Sequence, residues 1–309
     1  MNIEIIQELH CANGVTHAGL FHADEVMATV ILSYLHDISL CRVFHVPEGL
    51  SEDVIVYDIG MGRYDHHQKG GNGCRPNGIN YAACGLIWRD FGHEVIKKAA
   101  PDLSGPDRGA VWKRMDDVLI SRIDAADNGV ISQDEPTAFT ALISACNPTW
   151  DDETESDEAF AEAVSMAEIV FSHKLSNAIS NVRANTMVRH ALDASEPPIL
   201  FLDRFMPWRG TLFAFEKERK IRFQYVIFPA NRGGYNCQCV PEESNLFCPR
   251  CPFPESWRGL KDDALQKVSE VADAVFCHPA GFLASAETKA GALSLAKAAM
   301  ETANEKRRL

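Results

Sequence analysis

Apolar positions in the first 150 residues alternate between two periods. GVTH is a short strand candidate ending at His17. ADEVMATVILSYLHD follows, with apolar residues at 26, 27, 30, 31, 34 and 35, the spacing of one helix face. CRVFHV alternates like a strand, and VIVYDIG is a short apolar run reaching Asp58, as in a buried parallel strand. GLIWRDFGHEVI and VWKRMDDVLISRI read as helices. Strands alternating with helices predict a parallel sheet covered by helices. Sites in such sheets lie beyond the carboxyl ends of strands, where His17 and Asp58 both fall.

After Trp150 the pattern changes. DDETESDEAF opens a helical stretch running to about residue 192, its acidic residues suited to a helix N-terminus. SEPP at 195–198 interrupts it. ILFLDRF, IRFQYVIF and AVFCHPAGFL are strand candidates, and ETKAGALSLAKAAMETANEK is an Ala-rich helix. The fold class is therefore α/β: a parallel-sheet domain over 1–150, a helical linker over 151–196, and a smaller α/β domain over 197–309.

The 309 residues are 46% hydrophobic, enough for a substantial core, and carry a net charge of −13. An acidic surface disfavours tight, non-specific binding to a long nucleic-acid duplex. No run of about 18 apolar residues predicts a membrane span. MNIEIIQELH lacks a basic segment followed by an apolar run, so the expectation is no secretory signal and a soluble, cytoplasmic protein. Most of the ten cysteines are then expected to be reduced, buried thiols. Cys237, Cys239, Cys248 and Cys251 stand in C-x-C-x8-C-x2-C spacing, open to two readings: a structural zinc, or reduced strand and loop thiols.

RYDHHQKGG, residues 63–71, places two adjacent histidines after an aspartate. Packing rarely needs such a pair, because neighbouring side chains diverge in both strands and helices. Similar residue types recur in THAGLFHADE (His17, His22, Asp24), at Asp58, and in RIDAADNG (Asp124, Asp127). Asp24 and Glu25 also suit the start of a helix as capping residues. Imidazole with carboxylate and no thiolate favours Mn²⁺, Fe²⁺, Co²⁺ or Mg²⁺ over structural zinc. The number of carboxylates allows two ions, with Asp58 as the natural bridge.

These clusters resemble the DHH phosphoesterase superfamily. Within it the chain is similar to the metal-dependent protein hydrolase branch that includes melanocyte proliferating gene exonucleases. The similarity runs through THAGLFHADE, YDHHQKG, IDAADNG, NP-W, F-PWRGTLF, YVIFP, PESWRGL and HPAGF…TKAGALSLA, from about residue 15 to 298. It implies a DHH-type catalytic domain and a substrate-binding second domain. His17 and His22 would hold one divalent ion, Mn²⁺ first and Mg²⁺ or Co²⁺ as alternatives. Asp24 and His66 would hold the other, and Asp58 would bridge. Asp124 and Asp127 both match the fourth motif, and either could ligate. Asp65 would orient its neighbouring histidine, and His67 would face the substrate phosphate. His278 and Gly281 would bind substrate, although Ala284 and Ser285 stand where relatives usually carry a Gly-Gly pair. Arg209 would join them, as one of the basic residues Arg204, Arg209, Lys217, Arg219, Lys220 and Arg222 of FMPWRGTLFAFEKERKIRF, a group that also reads as an ordinary solvated helix face. The implied activity is phosphodiester hydrolysis, a 3′–5′ exonuclease acting on RNA or short oligonucleotides. Alternatives are a hydrolase of a small phosphorus anhydride or cyclic dinucleotide, or a non-catalytic metal-dependent interaction protein. A homodimer is compatible with all of these.

Overall fold

A computed structural model describes residues 2–131 and 138–308. The chain forms two compact units, residues 1–182 and 183–309. The first carries a four-stranded sheet of β1 (Ile3–Ile5), β2 (Gly14–His17), β3 (Ile38–Val43) and β4 (Ile55–Val56). Its order is β1-β3-β2-β4, and every pairing is parallel. Between the strands and after them come α1 (Ala23–Ser33), α2 (Ala83–Ala99), α3 (Gly105–Met115), α4 (Ser121–Asp127), α5 (Phe139–Ser144) and α6 (Ser156–Asp193), the last of which continues into the second unit from Arg183. A π-helical turn, Asp116–Ile120, joins α3 to α4.

Two expectations change at the carboxyl end of the sheet. The strand expected to reach Asp58 stops at Val56, because Asp58 adopts a left-handed backbone (φ 57°) that turns the chain out of the sheet. Helix α1 has no solvent face: all eleven of its residues are buried, Asp24, Glu25, Thr29 and Ser33 included. The two hydroxyls are accommodated by local bonds. Thr29 Oγ1 donates to the Glu25 carbonyl (2.7 Å) and Ser33 Oγ to the Val30 carbonyl (2.7 Å). Around α1 the core gathers Trp88, Tyr57, Phe21, Phe160 and Phe171.

The second unit holds β5 (Ile199–Phe201), α7 (Arg209–Arg219), β6 (Tyr225–Pro229), β7 (Tyr235–Cys239), β8 (Pro241–Glu242), β9 (Asn245–Pro249), α8 (Asp262–Ser269), β10 (Ala274–Cys277), β11 (Leu283–Ala286) and α9 (Lys289–Arg308). Its five-stranded sheet runs β10-β11-β7-β6-β5, antiparallel except for the β5–β6 pair. AVFCHPAGFL is not one strand but parts of two. His278–Phe282 form the turn of the β10–β11 hairpin, closed by Gly281 N–H to the His278 carbonyl (2.8 Å) and His278 N–H to the Leu283 carbonyl (2.8 Å). No helix among the described residues is long and apolar enough to cross a membrane.

Candidate functional site

The site of the first unit is assembled where β2 and β4 end. His17 is the last residue of β2, and His22 precedes the first turn of α1, which carries Asp24 and Glu25. After Asp58 the chain loops outward and returns. Asp58 N–H donates to the Tyr64 carbonyl at 3.0 Å, and Tyr57 bridges Tyr64. That return lays Asp65, His66 and His67 beside Asp58. Gly60 lets the loop close, since its φ is 86° and a Cβ there would meet Val46 Cγ2 at 2.9 Å.

Asp58 faces two histidines with its two oxygens. Its Oδ2 lies 3.4 Å from His17 Nε2, and its Oδ1 lies 3.5 Å from His66 Nδ1. His66 Nδ1 is also 3.8 Å from Asp24 Oδ2, and His66 Nε2 is 3.0 Å from Asp127 Oδ2. On the other side, His17 Nε2 is 2.9 Å from Glu25 Oε1, with the His22 ring 6.1 Å from the His17 ring. Ligand-grade atoms of His17, His22 and Glu25 lie within 4.8 Å of one another, as do those of Asp24, His66 and Asp127. Asp58, Asp65, His66 and His67 form a further such group. His66 and His67 then separate in environment: the His66 side chain is 10% exposed and that of His67 58%.

The electrostatics follow from carboxylates gathered around two imidazoles. Burial strips hydration from His17, yet hydrogen bonds to Asp58 and Glu25 outweigh that loss and raise its pKa to about 10. Burial likewise opposes charge on His66, and Asp127 with Asp58 raises its pKa all the same. Asp24 is pushed well above the usual carboxylate range by burial, then by the charges of Asp58, Asp127 and Asp124. Asp58 is raised by burial against the pull of His17. These carboxylates crowd a space with too little positive charge. Among the described residues, Glu25 Oε2, Asp58 Oδ1 and His66 Nδ1 are buried without a hydrogen-bond partner. An orphaned Asp58 oxygen facing the orphaned His66 Nδ1, beside buried carboxylates, fits divalent cations, because buried charges are normally paired or coordinate metals.

Asp124 and Asp127, three residues apart on α4, have different partners. Asp127 faces His66. Asp124, fully buried, accepts from Arg75 Nη1 (2.5 Å), Gly85 N–H (3.1 Å) and Cys84 Sγ (3.2 Å). Burial pushes its pKa to about 6 against the lowering effect of Arg75. Arg75 also grips Asp116 through Nε and Nη2. Asp24 caps the same α2 terminus, accepting from Ala83 N–H and Cys84 N–H at 2.7 Å each. Gly85 is required for this approach: a Cβ there would lie 1.9 Å from Asp124 Oδ2. Arg75 and Glu25, with Cys84 and Asp116, are site residues that the sequence does not single out as functional. Glu25 reads there as a helix cap, and Arg75 carries no local signal at all.

Residues 14–300 match the profile of the MYG1 exonuclease family, described as an uncharacterised protein family (UPF0160). The chain belongs to this family. Among its relatives, a MYG1 protein of Schizosaccharomyces pombe is 31% identical over 314 residues, covering 93% of this chain and 96% of that one. The MYG1 exonuclease of Homo sapiens is 30% identical over 318 residues, covering 92% and 85%. The MYG1 exonuclease of Rattus norvegicus is 30% identical over 320 residues, covering 92% and 84%. No solved structure matches. The matched region of the MYG1 family takes in every residue of the cluster just described.

It also takes in the second unit's expected substrate residues, and there the geometry is less convergent. Arg209 is exposed at the start of α7, its guanidinium 5.5 Å from the Trp208 ring. His278 is half-buried against Phe282, ring centroids 4.3 Å apart, and its Nδ1 accepts the Ala280 N–H. Gly281 has φ 68°, and a Cβ there would meet Arg258 Nε at 2.5 Å, so packing alone accounts for the glycine. No hydrogen bond or ring contact among the described residues joins Arg209 to His278 or Gly281. Lys217, Arg219 and Arg222 are paired with Glu243, Asp193 and Glu242, as on a solvated face. Of the cysteine quartet, Cys237, Cys239 and Cys251 are buried while Cys248 is exposed on β9. Among the described residues the four do not gather as ligand atoms within 4.8 Å.

Proposed function

We propose that this protein is a metal-dependent phosphodiester hydrolase of the DHH superfamily type, a 3′–5′ exonuclease acting on RNA or short oligonucleotides. The observation that carries the reading is Asp58: one buried carboxylate presents a different oxygen to each of two histidine-containing clusters. His17 and His22 would hold one divalent cation, and Asp24, His66 and Asp127 the other. Asp58 would serve both. Bound there, a pair of cations such as Mn²⁺ would supply Lewis-acid stabilisation for charge on a phosphoryl group.

The chain's own residues supply the rest. His67, held by Asp65 and largely exposed, would donate a hydrogen bond to a phosphoryl oxygen as charge develops. Asp124 would hold the α2 N-terminus, and with it the Asp24 cap, rather than ligate. In the second unit Arg209 and His278 remain candidates for the substrate backbone. The relatives named exonucleases support a nucleic-acid substrate. The net charge of −13 favours a short or single-stranded one over a long duplex.

The test is turnover with Mn²⁺ on 5′- and 3′-labelled RNA oligonucleotides, beside pyrophosphate and cyclic dinucleotides. Stepwise loss of 3′ nucleotides is expected. Exclusive turnover of the small phosphates would replace the exonuclease reading. No turnover with two bound ions would favour an interaction protein.

A further inference from the structure

Glu25 occupies the third position of α1, where its Oε1 accepts the His22 N–H at 2.9 Å. That bond by itself is a helix cap. Three further observations do not follow from capping. The side chain is fully buried, and Oε2 has no hydrogen-bond partner. The buried guanidinium of Arg42 directs its hydrogen bonds to His17 O, Gly19 O, Ser156 and Asp157, none of them to Glu25. And Oε1 lies 2.9 Å from His17 Nε2.

The His17 contact is the informative one. Its Nδ1 is 3.2 Å from the Ala18 carbonyl, which can only accept, so Nδ1 carries a hydrogen. Nε2 is therefore the ring nitrogen left to ligate, and it faces Glu25 Oε1 at 2.9 Å and Asp58 Oδ2 at 3.4 Å. Ligand-grade atoms of His17, His22 and Glu25 lie within 4.8 Å of one another, a span that one cation can bridge. A cation there would also give the unpartnered Glu25 Oε2 a partner.

We propose that Glu25 is a direct ligand of the cation held by His17 and His22, which makes that half of the site two imidazoles and a carboxylate beside the shared Asp58. The inference rests on the two-cation reading above. Its ligand class is a first-row divalent ion with affinity for imidazole, Mn²⁺, Fe²⁺, Co²⁺ or Zn²⁺, in preference to Mg²⁺.

The variant Glu25→Gln separates ligation from capping. The glutamine keeps an oxygen to accept the His22 N–H, but loses the charge. Calorimetric titration with Mn²⁺ should show two binding events in the wild type. In Glu25→Gln one should weaken by at least about 10-fold, while the other keeps its wild-type affinity. Mn²⁺-induced stabilisation should shrink accordingly. Two unchanged binding events in Glu25→Gln would overturn the inference and leave Glu25 as a cap, with the two-cation reading intact. A wild type that binds no divalent ion would overturn both. Should Glu25→Gln fail to fold, wild-type crystals soaked in Mn²⁺ decide. Anomalous density within about 2.6 Å of a Glu25 oxygen supports ligation, and density only farther away removes it.

Discussion

Asp65 Oδ1 lies 2.9 Å from His67 Nδ1, and the same oxygen accepts the His67 backbone N–H at 3.0 Å. With Met61 N–H on its other oxygen, Asp65 is held ionised: burial opposes the charge, but the two backbone donors lower its pKa below the ordinary value. The contact fixes the ring of the exposed histidine, not of the buried one. His67→Ala should therefore lower kcat by about 10²–10³ while bound metal stays at the wild-type level. Asp65→Asn should cost less, about 10–100-fold, because the ring is loosened rather than lost. His66→Ala should weaken metal binding, with activity partly restored by excess Mn²⁺. Metal stoichiometry and kcat across a Mn²⁺ titration check all three, and metal loss in His67→Ala with retention in His66→Ala would reverse the assignment.

Asp58→Asn affects both halves of the cluster at once. An amide presents one oxygen and one NH₂, so it cannot offer an acceptor to the His17 side and the His66 side together. Both binding events should weaken by more than about 10-fold, and added Mn²⁺ should restore less activity than in His66→Ala. Calorimetry on the two variants side by side is the measurement; loss of a single event in Asp58→Asn would mean the carboxylate serves one ion only.

Arg75 joins Asp116 and Asp124 in the interior. Arg75→Met would leave two buried carboxylates without their cation, a change that typically costs about 3–5 kcal/mol. Arg75→Lys should recover only part of this, since one ammonium cannot match a guanidinium that meets both carboxylates. Urea unfolding without divalent ions gives the values. A loss below about 1 kcal/mol in Arg75→Met would show that water or rearrangement replaces the pair.

How far the sequence reveals this site depends on the range of the interaction. His17 at the end of GVTH is visible because a strand and its periodicity are local. Asp124 and Asp127 cannot be told apart in RIDAADNG, for what distinguishes them is Arg75, 49 residues away. Glu25 does cap α1 as its position suggests; its second contact requires His17, on the preceding strand, to fold back over the helix start. The hairpin within AVFCHPAGFL was signalled by Pro279 and Gly281, and its apolar composition hides that signal. The one-faced reading of α1 failed for a different reason. The helix is enclosed on every side, and Asp24, Thr29 and Ser33 are buried in hydrogen bonds, so periodicity there does not report exposure.

The ten cysteines allow a chemical check on the second unit. Cys11, Cys74 and Cys248 are exposed and Cys146 is partly so; the other six are buried. Burial pushes the Cys277 thiol up to about 11, and raises Cys237 and Cys239 too. A raised thiol pKa leaves little thiolate at pH 8, so these groups should be inert until that pH is far exceeded. A thiol reagent at pH 8 should label Cys11, Cys74 and Cys248 rapidly, Cys146, whose thiol pKa is also raised by burial, more slowly, and the remainder only in denaturant. If Cys248 resisted labelling until a chelator released zinc, the quartet would be a zinc site after all.

The complete burial of α1 bears on mutational tolerance. A helix with one wet face gives a sensitivity profile that rises and falls every three or four residues. Helix α1 has no wet face: packed core surrounds it, and the carboxylate cluster sits at its first turn. A saturation scan across Ala23–Ser33 should find intolerance without period, with small residues such as Ala28 as unforgiving as Met27. Evolution could adjust such a segment only by paired changes in the elements around it.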